Sequence, residues 1–374
     1  MNYKNAWIYT ENFRFERGAF SVEDGRFARV LEPAADDAQD LDGAYVIPGL
    51  IDVHTHGNSG ADFSDGDLAG LEKMARYLAK CGVTSFAPAS MTLPYETLRQ
   101  AFATARAYVD HKPTDGACLR GIQMEGPFFS EKKKGAQNGA YLRLPDFEAF
   151  SALNEGCGDL VRIVDVAPEL EGAIEFVRKA KEVCTVSIAH TDADYEAARA
   201  AIAAGATHLT HLYNGMPALH HRKPGVIAAG AEAEKVSAEL ICDGLHVHPS
   251  AVRLAFRLFG AARMVLISDA LRCCGMPDGA YELGGQQVFL RGGVAHLADD
   301  TLAGSATDLF ECMRRAVAFG ISREDAIRAA TYNPARQLGC LSEVGSIADG
   351  KVADFVLCDA ELTRKAVYLA GNIL

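Results

Sequence analysis

The sequence predicts an α/β protein: a (β/α)8 TIM-like barrel with a small β-sandwich domain formed by the N- and C-terminal segments. Three observations lead there. Eight short apolar runs alternate with helical patterns through the middle of the chain, a segment of about the 250 residues typical of that barrel. Strand-like segments with Asp-Gly turns sit at the two chain ends, and the N-terminal piece is too small to bury a core alone. The first apolar run of the middle ends in His54-Thr55-His56, where an open doubly wound sheet would carry a glycine-rich phosphate loop.

In chain order, Ala6 to Tyr9 and Phe13 to Phe15 are strand-like, and Phe20 to Val30 reads as a hairpin turning at Asp24-Gly25. The far end offers matching pieces: Asp349-Gly350 between apolar runs, then Val367-Tyr368-Leu369. Residues 1–47 and 341–374 are therefore assigned to the small domain, and 48–340 to the barrel. Barrel strands are expected at 46–53, 83–89, 119–124, 161–167, 185–189, 206–212, 236–242 and 264–268. Helices are expected at 67–81, 94–110, 172–183, 195–204 and 249–259. Residues 275–296 read as an inserted hairpin, with Gly284-Gly285 and Gly292-Gly293 at turns. Helices at 303–319 and 323–338 follow, the second with Ser322 as its N-cap.

Composition narrows the function. Hydrophobic residues make up 49% and charged residues 23%, an ordinary globular balance. A net charge of −12 argues against nucleic acid or an anionic membrane as the partner. The opening Met1-Asn2-Tyr3-Lys4-Asn5-Ala6-Trp7 lacks the apolar segment of a secretion signal, and no stretch is long and apolar enough to span a bilayer. Ten cysteines are scattered without CxxC pairs, which reads as reduced thiols in a cytoplasmic protein.

Barrel enzymes carry their chemistry at the C-terminal ends of the strands. His54 and His56 stand at the end of the first expected strand and, one residue apart, share a face. Glu125 ends the third strand, His190 the fifth, His211 the sixth and Asp269 the eighth. Singly, each has an ordinary explanation, as a satisfied core histidine or a helix-capping acid. Together, four histidines and two carboxylates at one rim point to a divalent metal centre, and such ligands suit zinc, iron, manganese or nickel.

The motif Pro48-Gly49-Leu50-Ile51-Asp52-Val53-His54-Thr55-His56 resembles that of the amidohydrolase superfamily. Several further segments resemble the N-acetylglucosamine-6-phosphate deacetylases within it. They are Glu125-Gly126-Pro127-Phe128, Ala167-Pro168-Glu169, the run from Thr210 to Pro217, His220 to Gly225, Asp243 to Val247, Ser268-Asp269-Ala270 and Leu302 to Ser305. The resemblance spans nearly the whole chain. It implies hydrolysis of the acetamide of N-acetyl-D-glucosamine 6-phosphate to D-glucosamine 6-phosphate and acetate. It also implies a centre of one or two ions per subunit, one on Glu125, His190 and His211 and room for a second on His54 and His56 with Glu125 as bridge, and Asp269 as base and then acid. Arg222 is implied for the phosphate, Asn214 and Gly215 for the sugar, and His246 with Asp243 and Leu302, Ala303 and Gly304 for the rest of the substrate pocket. Relatives are typically homodimers in which the neighbouring subunit supplies part of the phosphate grip. Ala136 and Gln137 match a further substrate segment, with Gln137 where some relatives have histidine.

Strand four holds no lysine, which speaks against a dihydroorotase or dihydropyrimidinase. The enzymatic alternative is a related amidohydrolase acting on another N-acetyl sugar phosphate, such as the galactosamine or mannosamine epimer. A barrel kept only as a scaffold should have lost a ligand or the aspartate, and none is missing.

Overall fold

In the computed structural model, which describes residues 1–374, the middle apolar runs form the eight strands of a parallel barrel. These are Leu50–Thr55, Val83–Pro88, a third in two pieces (Cys118–Leu119 and Ile122–Met124), Val161–Val166, Thr185–Ile188, His208–Leu209, Ser237–Ile241 and Met264–Ile267. The third strand breaks at Arg120-Gly121, so its first piece pairs with the second strand and its second piece with the fourth. Glycine is required at the break, because a Cβ on Gly121 would lie 2.3 Å from Arg162 Cγ. The seam between the eighth strand and the first has no regular ladder. Backbone bonds from Asp269 N–H to His54 O and from His56 N–H to Ala270 O, both 2.9 Å, close it. Ser268 Oγ adds a 2.5 Å bond to the buried Asp52 carboxylate.

The run expected as one strand over 46–53 is two strands in different sheets, Tyr45–Pro48 and Leu50–Thr55. Continuous apolar character hides the change of partner, because both pieces are fully buried from Val46 onward. Gly49 at the junction presses on Thr84, whose Oγ1 would be 2.2 Å from an added Cβ.

Tyr45–Pro48 belongs to an eight-stranded sheet made from both chain ends. Asn2–Tyr9, Phe15–Glu23, Arg26–Ala28 and Gln39–Asp40 join it from the N-terminal side, and Phe355–Cys358, Arg364–Leu369 and Asn372–Ile373 from the C-terminal side. The Asp24-Gly25 turn has both residues at positive φ, 50° and 74°, as a tight hairpin demands. The sheet folds over so that Phe27 N–H bonds Lys351 O and Gly350 N–H bonds Phe27 O, each at 2.8 Å. Between the facing layers lie Tyr3, Phe20, Phe27, Phe355 and Tyr368, with the last two rings stacked at 4.2 Å.

Helices Tyr195–Ala204 and Pro249–Phe259 have the expected limits, and Leu68–Lys80, Tyr95–His111 and Ala173–Ala180 lie within a few residues of theirs. Side-chain caps explain the starts of two: Asp67 accepts from Ala69 and Gly70 N–H, and Asp194 from Ala197 N–H. Two expectations need correction. The helix placed over 303–319 begins only at Leu309, capped by Asp308, and Leu302–Gly304 is instead the last strand of the insertion. The helix over 323–338 is two, Arg323–Ala330 and Tyr332–Gln337, parted at Thr331 with φ −133° and ψ −74°. Pro334 lacks the N–H that a continuous helix would need there. Ser322 does cap the first, accepting from Asp325 N–H at 3.1 Å.

The insertion is a four-stranded antiparallel sheet, Gly279–Leu283, Gln286–Arg291, Val294–His296 and Leu302–Gly304, and its first two turns fall at the glycine pairs. No helix is long and apolar enough to cross a membrane. Gly49→Ala is expected to lower stability by about 1–3 kcal/mol through overpacking against Thr84, read as a reduced urea midpoint at unchanged slope. An unmoved midpoint would show that the strand junction has room to spare.

Candidate metal centre

Six polar side chains from five strands meet at the C-terminal rim of the barrel. Glu125 is at the middle, 2% exposed. Its Oε1 lies 3.1 Å from His211 Nε2, 3.2 Å from His190 Nε2 and 3.5 Å from His54 Nε2. Its Oε2 lies 3.4 Å from His56 Nε2. Asp269 Oδ1 completes the group, 3.2 Å from His56 Nε2 and 3.7 Å from His54 Nε2. Two buried sets of ligand atoms result, His54–His56–Glu125 and Glu125–His190–His211, each within 4.8 Å.

The tautomers say what these atoms fit. His190 Nδ1 is 2.8 Å from Lys133 O, and His211 Nδ1 is 3.2 Å from Asn214 O. A carbonyl only accepts, so each Nδ1 carries the proton and each Nε2 presents a lone pair inward. Those two nitrogens are 3.1 Å apart, with a carboxylate oxygen against both. Lone pairs crowded in this way need a positive charge among them, and three or four nitrogen and carboxylate donors can hold a divalent cation. His54 Nε2 also points inward, buried and without a hydrogen-bond partner.

The electrostatics agree. Burial alone would raise the Glu125 carboxyl, but the facing histidines hold it well below the usual carboxylate range. Asp269 is likewise kept low against its burial by His56 and His54. Burial alone would depress the rings, yet Glu239 and Glu125 push His54 well above the usual imidazole range, and Glu125 does the same to His211. His56 is raised against its burial by Asp269 and Glu125.

Three of these residues depart from ordinary strand backbone. His190, His211 and Asp269 have φ of 41°, 31° and 49°, the left-handed region that costs a residue with a side chain of the order of 1–3 kcal/mol when nothing relieves it. The turn swings each side chain from the strand into the rim.

A cavity of 260 Å³ opens beside the group. His56, Glu125, His190, His211 and Asp269 form its floor, and Ala136, Gln137, Asn214, Gly215, His246, Leu302, Ala303 and Gly304 line the rest. Three expected site residues, one metal ligand and two substrate contacts, stand outside the cavity lining. His54 is below the floor, fully buried. Asp243 is 1% exposed and turned away from the cavity. Its Oδ2 takes the Nδ1 proton of His246 at 2.6 Å, and Oδ1 takes the backbone N–H of Leu245 and His246, so it aims His246. Arg222 lies on an exposed loop against a separate groove with Asp192, Tyr195 and Pro217. Gln137 lines the cavity but is also bonded beneath it. Its amide donates to Glu125 Oε2 at 2.7 Å and accepts from Thr92 N–H at 2.7 Å.

Sequence reasoning passed over the supports. Glu239 and His208 are fully buried and bonded to each other, and Glu239 also holds His54 and the His211 backbone. Glu169 ties the loop after His190 through Thr191 Oγ1 and Asp192 N–H. The signal for Glu239 was present: an acid inside the otherwise small and apolar strand Ser237–Ile241.

The model of the amidohydrolase family matches residues 45–373. The chain belongs to the amidohydrolase family. It is 38% identical over 379 residues to the N-acetylglucosamine-6-phosphate deacetylase of Bacillus subtilis (strain 168), covering 99% of this chain and 96% of that one. It is 35% identical to the N-acetylgalactosamine-6-phosphate deacetylase of Escherichia coli O157:H7, over 98% and 97% of the two chains. The crystal structure of the N-acetyl-D-glucosamine-6-phosphate deacetylase from Mycobacterium smegmatis superposes with a TM-score of 0.93 at 32% identity, covering all of both chains. The amidohydrolase barrel and its added sheet are thus common to the two structures.

Ligand chemistry predicts the behaviour of this amidohydrolase toward ions. A histidine binds a cation only through an unprotonated nitrogen, so protons and cation compete for the inward Nε2 atoms and affinity falls as pH falls, up to about tenfold per unit for each proton released. Zinc titrated into the metal-stripped chain in buffers of different ionisation heat should give buffer-dependent enthalpies. Identical heats would mean that the rings were already bare.

Proposed function

We propose that the chain hydrolyses the acetamide of N-acetyl-D-glucosamine 6-phosphate, giving D-glucosamine 6-phosphate and acetate, on a centre of one or two divalent cations. The observation that carries the reading is the placing of Asp269: its carboxylate edges the cavity, 3.2 Å from His56 Nε2, beside the buried Glu125–His190–His211 set. The family and the named relatives, similar over almost their whole length, favour the same reaction.

Glu125, His190 and His211 would hold one ion, and His54 and His56, sharing Glu125, a second. A bound cation lowers the pKa of water from about 15.7 toward about 7 and polarises an amide carbonyl. Asp269, held ionised at neutral pH, takes a proton from the attacking water and returns it to the nitrogen as the C–N bond breaks. The water oxygen stays on the acetyl carbon, so the products are the amine and acetate. Asn214, Gly215 and the Leu302–Gly304 edge hold the sugar, with Ala136 and Gln137 closing the opposite side. His246, its Nδ1 proton held by Asp243, faces the cavity with Nε2 as an acceptor for a sugar hydroxyl.

Arg222 is too far out on its loop to serve its own cavity, so the phosphate role we assign to it works between subunits of a homodimer. Leu219 and Leu245, close in sequence to Arg222 and His246, are exposed and are available to such a contact. Ten free cysteines, eight of them buried, suit the reducing cytoplasm.

Acetate release from a panel of N-acetylated sugar 6-phosphates tests the reading. The glucosamine compound should be turned over fastest, and faster turnover of the galactosamine or mannosamine epimer would transfer the assignment to that sugar. Asp269→Asn should lose about 10²–10⁴-fold or more in kcat while metal content, measured by elemental analysis, stays near wild type. Near-normal turnover in that variant would remove Asp269 from its role. Arg222→Ala should raise KM for the phosphorylated sugar far more than for N-acetylglucosamine itself. Equal effects on both would discard the phosphate contact.

A further inference from the structure

Glu239 is a fully buried carboxylate in the seventh barrel strand, outside the cavity and outside both sets of ligand atoms. Three donors converge on it. The backbone N–H of His211 reaches Oε2 at 3.2 Å, His54 Nδ1 reaches the same oxygen at 3.0 Å, and His208 Nε2 reaches Oε1 at 3.1 Å. A carboxylate offers only acceptors, and with the His211 N–H already donating to Oε2 the His54 ring meets that oxygen with its proton on Nδ1. The lone pair of that ring is thereby turned to Nε2, which faces Glu125 and Asp269.

The two halves of the centre differ in how their rings are fixed. His190 and His211 are held by the backbone carbonyls of Lys133 and Asn214. His56 has a buried Nδ1 without a partner and meets only the carboxylates of the rim itself at Nε2, so no group behind the ring sets its proton. The His54–His56 half thus depends on one side chain behind the cavity.

We infer that Glu239 is a positioning residue that fixes the His54 tautomer and thereby sets the affinity of the His54–His56 half for a divalent cation, more strongly than that of the other half, which it touches only through the His211 main chain. The inference rests on the metal-dependent reading above. It also says what a conservative change should do. In Glu239→Gln the amide oxygen can stay on His54 and the His211 N–H, while the NH2 turns to His208, whose unpartnered Nδ1 can take the proton in exchange. Glu239→Leu leaves His54 Nδ1 without an acceptor.

The test is zinc titration of the metal-stripped full chain by calorimetry, with the 15N spectrum of the histidine rings recorded alongside. Wild type should take two ions. Glu239→Leu should keep the tighter one within a few-fold and weaken the other by about tenfold or more, the usual effect of losing such an outer partner. Glu239→Gln should recover most of that loss. A Glu239→Leu protein that binds both ions as wild type does, or weakens both alike, overturns the inference. Should that variant fail to fold, the wild-type and Glu239→Gln spectra decide: a His54 proton on Nδ1 in both sustains the inference, and one on Nε2 overturns it. A wild type that takes a single ion defeats the two-ion reading instead, and the same ring signal then judges Glu239 by itself.

Discussion

A carboxylate sealed in a protein interior must be met by positive charge or it costs several kcal/mol. Glu125 sets that condition for the whole rim. Four imidazoles from three other strands surround it, and only a closed barrel brings those strand ends within 4 Å of one carboxyl group. The closing seam is made by the same residues: the Asp269 backbone bonds His54, and the Ser268 side chain bonds Asp52 beneath. The residues that close the cylinder are therefore the same ones that complete the centre, while the eighth and first strands each keep a ladder to their other neighbour.

The cavity wall is tied to the same seam. Ser305 N–H bonds Asp269 O at 2.8 Å, Leu271 N–H bonds Ser305 O at 2.9 Å, and Ser305 Oγ reaches Ser268 O at 2.5 Å. The insertion that presents Leu302, Ala303 and Gly304 is thus clamped to the segment bearing Asp269. Gln286 pins its other side to the Ala136 backbone at 2.5 Å. Asp269 and this wall of the cavity are held in register by backbone bonds, which side-chain variation on the insertion leaves in place.

What could be read from the sequence follows from where signals are local. Strand-tip residues such as Glu125, His190 and His211 were legible only as a set, because each alone has an ordinary explanation while several polar residues ending successive apolar runs converge on one rim. Helix limits at Tyr195 and Pro249 were legible through capping and proline chemistry. The division of the run at Gly49 was not, since both halves are apolar and only the partner strands differ. Leu302–Gly304 read as the start of a helix because its pairing partner is set by the insertion's own tertiary packing. The outer partners of His190 and His211 are main-chain oxygens, which no side-chain pattern reveals. Arg222 looked like part of the pocket because its motif neighbours Asn214 and Gly215 in sequence, while the loop between them carries it outward.

The left-handed backbone at His190, His211 and Asp269 bears on how this protein can change. At each position the main chain alone would prefer glycine, and each side chain there persists for its chemistry. Activity and robustness consequently pull against each other at the rim: a catalytically dead descendant would be free to become sturdier at these points. Lineages or laboratory selections that reward thermal endurance must find their gains in the helices and the folded terminal sheet, where no such conflict exists.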